Sequence, residues 1–479
     1  MFDIWILAFG FMDIMVIGDL KGKKITVMGL GLHGGGIGVV RFLSEAGAKV
    51  TVTDVKSKEE LEPSLEKIRD LKDINYVLGQ HRPEDFTNTN MVVKNPAAQW
   101  ADKYIKLALD NGVPVEMDSS LFFKFCKNKI IGVTGSKGKT TTASLIADVL
   151  EKSGHHVVRA GISQASVLDK IKDCKEDSVV VFELSSWRLS ALGRSKLSPH
   201  IAVITNIYPD HLNYYKTMEE YANDKKHIFL YQAREDTCVI NAGNEIIRGF
   251  EGEIKSKVVK FSENKISDGV SVFQEDGAIY FNDGVDEKKI IDVQDIRLRG
   301  KHNSENIMAA IGAVRMAGAK FEAIREAVLA FKGVAHRLEI IRELDGVKYV
   351  NDSAATMPEA AISGLASFSE PVVLIAGGSD KNLNMDEFAE VLAKRTKSII
   401  FLKGAATDKI ISAMKKIGQN FIEREFAITD SMERAVELAR LESKEGDVIL
   451  LSPGAASFGL FQNEFDRGDK FKETVKNLK

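Results

Sequence analysis

Residues 131–142, which read IGVTGSKGKTTT, decide the fold of this chain. An apolar strand runs into a glycine-rich turn that ends in Lys139 and Thr140, and a helix is expected to follow. The N–H groups of such a turn and of the helix N-terminus bind phosphates, the lysine reaches the terminal phosphates, and the hydroxyl can bind Mg²⁺. The stretch therefore predicts an ATP-binding α/β domain.

The spacing departs from a strict P-loop, because Val133 stands where the first glycine is expected, between Gly132 and Gly135. A plain glycine-rich turn is the alternative, but a lysine followed by three threonines suits phosphate and metal better than packing. The predicted ATP-binding residues of this turn are Gly135, Ser136, Lys137, Gly138, Lys139, Thr140 and Thr141.

The composition is that of an ordinary globular protein, with 44% hydrophobic and 28% charged residues among 479. A chain of this length predicts about two to four domains, and we expect three. A net charge of −3 offers no attraction to nucleic acid or to anionic membranes, so neither is an expected partner.

Three dispersed cysteines without a metal-binding spacing predict free thiols in a reducing cytoplasm. Residues 1–22 begin with an apolar stretch that is too short to span a bilayer and lacks the basic start of a signal peptide. We expect a loosely ordered extension there.

Strand and helix patterns alternate along most of the chain. Residues 24–54 predict a βαβ unit in which Gly29, Gly31 and Gly34 match GxGxxG and Asp54 ends the second strand. This motif fits a nicotinamide dinucleotide or a nucleotide sugar, and the separate ATP loop disfavours a dehydrogenase. Later apolar strands are predicted at residues 178–182, 200–206, 371–376, 398–403 and 448–452. Such alternation predicts parallel sheets covered by helices, with ligands beyond the carboxyl ends of the strands.

Two polar residues follow strands of the predicted ATP-binding domain. Glu183 ends an apolar strand at the edge where the phosphate loop opens, which suits a magnesium ligand beside Thr140, although it could instead cap a helix. His211 lies in the segment NIYPDHL, which follows a predicted strand and is expected near the phosphates. It could bind a second metal ion, or it could be a surface histidine.

An ordered series of segments resembles the Mur ligase family, most closely its members that add D-glutamate. The segments are GVTGSKGKTTT, ELSSWRL, NIYPDHL, GKHNSEN, HRLE, NDSAAT, GGSDK and LSPGAASF. The resemblance implies a Rossmann-like uridine-nucleotide domain (residues 23–116), a central P-loop ATPase-like domain (117–333) and a Rossmann-like amino-acid-binding domain (334–479). It also implies a monomer in the cytoplasm.

The implied reaction adds D-glutamate to UDP-N-acetylmuramoyl-L-alanine in peptidoglycan precursor synthesis. ATP converts the substrate carboxylate into an acyl phosphate, which the amino acid attacks to give a tetrahedral intermediate. By resemblance, Lys139, His211 and Lys225 are catalytic. Thr140 and Glu183 would bind one Mg²⁺, while His211 and a carbamylated Lys225 would bind a second, unless Lys225 is simply an exposed lysine beside Lys226.

The resemblance also assigns binding residues. Asn303 and Asn306 match an adenine-contacting pair, and Arg337 and Asp352 match residues that close over the nucleotide. The predicted D-glutamate contacts are Thr356, Lys381 and Ser457, and the predicted uridine-diphosphate contacts are Leu32, His33, Asp54 and Lys56.

Three positions depart from the family pattern: Ala354 replaces a frequent lysine, Ile162 replaces an asparagine, and Phe465 is shifted by one position. A related ligase that adds another amino acid therefore remains an alternative. A nicotinamide oxidoreductase or a non-catalytic nucleotide-binding regulator is the alternative outside this class.

Replacing Lys139 tests the phosphate-loop assignment. Lys139→Ala should remove nearly all ATP turnover and leave the fold intact, because the lysine neutralises charge on the transferred phosphoryl group. Steady-state phosphate release and circular dichroism measure the two effects. A rate near that of the unmodified protein would exclude this loop as the phosphate site.

Overall fold

The computed structural model describes residues 16–32, 34–162, 166–209, 214–298, 300–380, 383–417 and 426–479. The chain forms two compact units, the first ending at Phe331 and the second beginning at Lys332. The first unit holds two sheets and the second holds one, which confirms the predicted α/β class. In the described part of the chain, every helix is too short or too polar to cross a membrane.

The first sheet is entirely parallel, in the order β3-β2-β1-β4-β5. The order reverses between β1 and β4, and a crevice at such a point is where ligands bind in sheets of this kind. The strands are β1 (Lys24–Met28), β2 (Lys49–Asp54), β3 (Asn75–Leu78), β4 (Met91–Lys94) and β5 (Val115–Glu116), and the helices are α1 (Gly35–Glu45), α2 (Lys58–Leu65), α3 (Glu84–Thr87) and α4 (Lys103–Asp110).

The end of the predicted N-terminal extension is ordered, which corrects the expectation for residues 16–22. Ile17–Leu20 forms a 3-10 turn, and the Leu20 side chain is fully buried in the hydrophobic core. Burial of a leucine side chain contributes on the order of 2 kcal/mol, enough to hold a short turn against the domain. Residues 1–15 lie outside the described residues.

The second sheet has nine strands in the order β14-β13-β12-β11-β10-β9-β6-β8-β7. Its strands are β6 (Lys129–Thr134), β7 (Val157–Ala160), β8 (Val179–Glu183), β9 (Ile201–Ile204), β10 (Thr237–Asn241), β11 (Lys257–Ser262), β12 (Ser271–Glu275), β13 (Ala278–Asn282) and β14 (Glu287–Asp292). Its helices are α5 (Asp118–Phe125), α6 (Lys139–Lys152), α7 (Ser186–Arg194), α8 (Met218–Lys226), α9 (Glu245–Arg248), α10 (Lys301–Met316) and α11 (Phe321–Ala330), with 3-10 turns at Val167–Asp173, Glu251–Glu253 and Val293–Asp295. A further 3-10 turn, Glu66–Ile68, follows α2 beside the first sheet.

The third sheet, in the second unit, has the order β15-β16-β20-β17-β18-β19. Its strands are β15 (Glu339–Leu344), β16 (Val347–Asn351), β17 (Val372–Gly377), β18 (Thr396–Leu402), β19 (Ala427–Thr429) and β20 (Val448–Leu451). Its helices are α12 (Pro358–Ala366), α13 (Asp386–Arg395), α14 (Ala405–Ile417), α15 (Met432–Leu441) and α16 (Glu464–Asn477).

Antiparallel hairpins correct the expectation of purely parallel sheets. Strands β12 to β14 pair antiparallel at one edge of the second sheet, and β15 pairs antiparallel with β16. Two of the turns are Asp-Gly pairs, Asp276-Gly277 and Asp345-Gly346, whose four residues all have positive φ. Such Asp-Gly turns match the twist of a two-residue hairpin, so the signal was present in the sequence.

One hydrophobic cluster runs through both sheets of the first unit. It includes Val52 of the first sheet, Phe122 of α5 and Phe182 of β8, and the two phenylalanine rings meet edge to face with centroids 5.3 Å apart. Aromatic pairs of this geometry add about 0.5–1.5 kcal/mol beyond burial of their area. This shared core fixes the glycine-rich turn of the first sheet relative to the phosphate loop of the second.

Candidate active site

The phosphate loop spans residues 135–138, between β6 and the first residue of α6. Gly135 and Gly138 have φ of +152° and +82°, which disfavours any residue with a side chain. A Cβ atom at Gly135 would overlap the Thr205 hydroxyl, and one at Gly138 would overlap the Asn306 amide. The two glycines therefore let the loop lie directly on side chains from elsewhere in the domain.

The segment after β9 holds the loop by a set of hydrogen bonds. The Lys137 N–H donates to Asn206 Oδ1 at 2.8 Å, and Asn206 Nδ2 and Thr205 Oγ1 donate to the Lys137 carbonyl at 3.1 and 2.6 Å. The Ser136 N–H donates to the Asn206 carbonyl at 2.9 Å. Because Thr205 and Asn206 lie on a neighbouring strand end, they fix the loop before any ligand binds.

Two lysine ammonium groups converge on one loop carbonyl. Lys139 Nζ and Lys225 Nζ each donate to the Gly135 oxygen at 3.0 Å. Lys225 is only 1% exposed, so the alternative of an exposed surface lysine is wrong. Its neighbour Lys226 instead pairs with Glu253 at the surface. Burial of an ammonium group is unfavourable without partners, which indicates a specific role for Lys225.

Glu183 and Thr140 fit a magnesium ion. Glu183 lies in register with Val133 of β6, and its buried Oε2 atom has no hydrogen-bond partner among the described residues. Thr140 is buried at the start of α6. A carboxylate and a hydroxyl are hard oxygen donors of the kind that Mg²⁺ prefers. The helix-capping alternative for Glu183 is wrong, because Ser185 caps α7.

Three predicted site residues, His33, His211 and Lys381, lie outside the described residues. In that described part, no group of three or more His, Cys, Asp and Glu side chains could hold a metal ion. Asn303 and Asn306 lie in the first two turns of α10, and the buried Asn306 packs under the phosphate loop. Its contact with Gly138 shows that Asn306 supports the loop, and its predicted contact with adenine stays a prediction.

The described members of the predicted uridine-diphosphate set, Leu32, Asp54 and Lys56, lie at the carboxyl end of the first sheet. Asp54 accepts hydrogen bonds from the Gly31 N–H at 3.1 Å and the Lys56 N–H at 2.9 Å, and it is 5% exposed. Leu32 is exposed beside it. Asp54 thus fixes the conformation of the glycine-rich turn, and its predicted contact with a ribose stays a prediction.

A cavity of about 550 Å³ lies between this turn, the end of β4 and the start of α7. Its charged lining residues are Lys94, Asp118 and Arg188, none of which the sequence predicted. Lys94 Nζ donates to the Ala98 carbonyl at 2.8 Å, and burial lowers the pKa of this amine to about 8. The cavity coincides with the reversal of strand order and is therefore the ligand site expected from topology.

In the second unit, Asp352 follows β16 and is 7% exposed. Its Oδ1 accepts from the Leu338 N–H at 3.2 Å, and its Oδ2 accepts from Ser452 Oγ at 2.7 Å. Arg337 lies in the turn beside Leu338 and acts on the carboxylate through its charge. Burial outweighs these interactions and raises the pKa of Asp352 to about 7.

Arg467, which was not predicted from the sequence, supports the loops that carry two of the predicted D-glutamate residues. Its fully buried guanidinium donates to Ser353 Oγ and to the Ser353 carbonyl, each at 3.0 Å, and to the Ala455 carbonyl at 3.1 Å. Burial lowers the pKa of this guanidinium to about 9. The side chain thereby ties together the two loops that carry the predicted D-glutamate residues Thr356 and Ser457.

Family models match most of the chain. A MurD-like N-terminal domain of Mur ligases matches residues 23–116, the Mur ligase middle domain matches residues 133–314, and the Mur ligase glutamate ligase domain matches residues 336–454. The three matches follow the order of the three sheets described above.

The chain is also similar to curated proteins over nearly its whole length. It is 42% identical over 468 residues to the UDP-N-acetylmuramoylalanine--D-glutamate ligase of Roseiflexus sp. (strain RS-1), covering 96% of this chain and 100% of that protein. It is 38% identical over 463 residues to the ligase of the same name from Clostridioides difficile (strain 630), with coverage of 96% and 100%.

Among solved structures, the UDP-N-acetylmuramate-alanine ligase from Thermotoga maritima matches with a TM-score of 0.53 and 20% identity, covering 95% of this chain and 100% of that one. A pseudomurein peptide ligase type C from Methanothermus fervidus matches with a TM-score of 0.50 and 18% identity, with coverage of 96% and 100%. At these identities the structures support the fold alone.

The buried Asp352 predicts a pH-dependent stability. Its pKa is about 7 in the folded protein and near 4 in the unfolded chain, so the folded state binds more protons between these values. Raising the pH from 4 to 7 therefore lowers the free energy of unfolding through this group, by about 2–4 kcal/mol. Asp352→Asn cannot ionise and should lose this dependence.

Urea unfolding of the full chain and of the Asp352→Asn variant, at several pH values between 4 and 8, measures the effect. As the pH rises across this range, the unfolding free energy of the variant should increase relative to that of the unmodified protein. A difference that stays constant with pH would contradict a buried ionisable carboxyl group at this position.

Proposed function

The chain belongs to the Mur ligase family, and we propose that it is an ATP-dependent ligase that joins D-glutamate to UDP-N-acetylmuramoyl-L-alanine. The products are an amide, ADP and phosphate, and the reaction belongs to peptidoglycan precursor synthesis. The convergence of Lys139 and Lys225 on the phosphate loop carries the proposal of phosphoryl transfer. The full-length similarity to two ligases of this name supports the choice of substrates.

The chemistry requires two steps. The terminal carboxylate of the nucleotide substrate attacks the γ-phosphate of ATP, and ADP leaves. The amine of D-glutamate then attacks the acyl phosphate, and the tetrahedral intermediate expels phosphate. The loop N–H groups and the N-terminus of α6 stabilise the phosphate charge, and Lys139 is placed to exchange its loop carbonyls for phosphate oxygens.

Magnesium ions fit the residues around the loop. Thr140 and Glu183 would hold one ion, and His211 with a carbamylated Lys225 would hold a second. When bound, the ions neutralise charge on the transferred phosphoryl group. The Lys225 amine is buried beside the loop, and a carbamate would convert it from a cation into an oxygen donor suited to Mg²⁺.

The remaining binding roles are part of the same proposal. Asn303, Asn306, Arg337 and Asp352 would contact ATP, and the D-glutamate carboxylates would bind Thr356, Lys381 and Ser457. The uridine diphosphate would bind Leu32, His33, Asp54 and Lys56. We further propose domains at residues 23–116, 117–333 and 334–479, and a monomer that acts in the cytoplasm.

Membership of the ligase family disfavours the oxidoreductase and regulator alternatives. Whether the ligase adds D-glutamate or another amino acid is tested by an assay. Phosphate release is measured with ATP, Mg²⁺ and UDP-N-acetylmuramoyl-L-alanine in the presence of D-glutamate, L-glutamate, L-lysine or diaminopimelate. We expect release only with D-glutamate and a product heavier by one glutamyl residue. Release with another amino acid would replace the proposed specificity, and no release with any would contradict the activity.

Lys225 has a matched control in its neighbour. Lys225→Ala should lose at least about 100-fold in kcat, and short-chain carboxylates should restore part of the loss by replacing the carbamate oxygens. Lys226→Ala should keep the original rate, because that ammonium pairs with Glu253 at the surface. Equal losses in both variants, or no rescue by acetate or propionate, would contradict a carbamylated Lys225.

A further inference from the structure

The cavity contains a carboxylate and a guanidinium to which the proposed reaction assigns no role. Asp118 begins α5, Arg188 lies in α7, and both side chains line the cavity. Asp118 Oδ2 lies 3.6 Å from Arg188 Nη2 and accepts a hydrogen bond from the Val167 N–H at 3.4 Å. The two groups thus form a close, nearly buried pair on one wall of the cavity.

The second carboxylate oxygen of Asp118 is buried and meets no donor in the described part of the chain. Asp118 is 6% exposed, and its Oδ1 is buried without a hydrogen-bond partner within the described ranges. An unsatisfied buried acceptor costs about 1–3 kcal/mol, more when it is charged. The hydrogen bond from the Val167 N–H gives Oδ2 a structural role, because it supports the 3-10 turn Val167–Asp173. The same role does not account for the burial of Oδ1. A ligand in the cavity would supply the missing donor.

Two further contacts hold Arg188 in place. Its Nη1 donates to the Gly161 carbonyl at 3.1 Å, and its guanidinium lies over the Phe182 ring, 5.7 Å from the centroid. A guanidinium has five N–H donors, and one hydrogen bond with a long ion pair does not use them all. Arg188 therefore retains donor capacity next to the unsatisfied Asp118 oxygen.

An acceptor beside a donor, with no net charge, is complementary to a neutral group that carries both. An anion would be repelled by Asp118, and a cation by Arg188. A secondary amide instead offers its N–H to Asp118 Oδ1 and its carbonyl to Arg188. Lys94, the other charged lining residue, already donates to the Ala98 carbonyl.

We propose that Asp118 and Arg188 recognise a secondary amide of the nucleotide-sugar substrate and so determine specificity for it. This inference rests on the proposed function. Two groups of UDP-N-acetylmuramoyl-L-alanine have this chemistry: the acetamido group of the sugar and the amide that joins the lactoyl group to alanine.

The test compares ligands with and without each amide, by calorimetric binding to the full chain without amino acid. UDP-N-acetylglucosamine against UDP-glucose isolates the acetamido group. UDP-N-acetylmuramoyl-L-alanine against UDP-N-acetylmuramate isolates the lactoyl–alanyl amide. Because binding needs no turnover, failure of the proposed ligase activity is detected separately in the phosphate-release assay.

Asp118→Asn is the informative variant. The Val167 N–H requires an acceptor, so the asparagine oxygen faces Val167 and its NH₂ group faces the cavity, which replaces an acceptor by a donor without a change in size. We expect about a tenfold or greater preference for one amide-bearing ligand in the unmodified protein, and its loss in Asp118→Asn. Which pair shows the loss identifies the amide.

Two further variants complete the design. Arg188→Met keeps the packing on Phe182 and removes the donors, so it should lose the same preference even if Asp118→Asn proves unstable. Asp70→Asn breaks an exposed pair with Arg41 in the same unit and should change neither preference. Unchanged preferences in Asp118→Asn and Arg188→Met, with ATP binding and Tm preserved, would overturn the proposal, as would equal weakening of UDP-glucose.

Discussion

The close packing of the phosphate loop on side chains beneath it is the constraint on which the active site depends. The Thr205 hydroxyl and the Asn306 amide occupy the space that a Cβ atom would need at Gly135 and Gly138. Since these side chains come from the end of β9 and from α10, the loop conformation is set by the assembled sheet and not by the loop alone. The ammonium groups of Lys139 and Lys225 then find one common acceptor at Gly135.

The shared core of the first unit extends this constraint to the cavity at the carboxyl end of the first sheet. Phe122 lies on α5, which begins at Asp118, and Phe182 lies on β8, which ends at Glu183. The Arg188 guanidinium lies over the Phe182 ring. Glu183, proposed to bind metal, and Asp118 and Arg188, proposed to recognise the sugar substrate, are thus all carried next to the same packed rings. A change of volume in this core is expected to disturb both sites, because interiors are close-packed and transmit strain.

Local motifs made the fold and the reaction class predictable, whereas contacts between distant elements were not. The strands at residues 24–28 and 49–54, the helix after the phosphate loop and the position of Glu183 at a strand end follow from local patterns. The antiparallel hairpins have Asp-Gly turns that are visible in the sequence. The alternation of strands and helices along the rest of the chain nevertheless favours parallel sheets. Lys94, Asp118 and Arg188 had no signal, because a cavity formed by three separate elements leaves no characteristic spacing in the sequence.

Arg467 and Asp352 show how the second unit tolerates buried charge near its loops. Arg467 donates to two carbonyls and a hydroxyl, Glu464 acts on it through its charge, and burial still lowers its pKa to about 9. Asp352 is likewise bound by an N–H and a hydroxyl, and burial raises its pKa to about 7. Among the described residues neither group has a direct ion pair, so hydrogen bonds to the neighbouring loops are what stabilise each of them in its buried position.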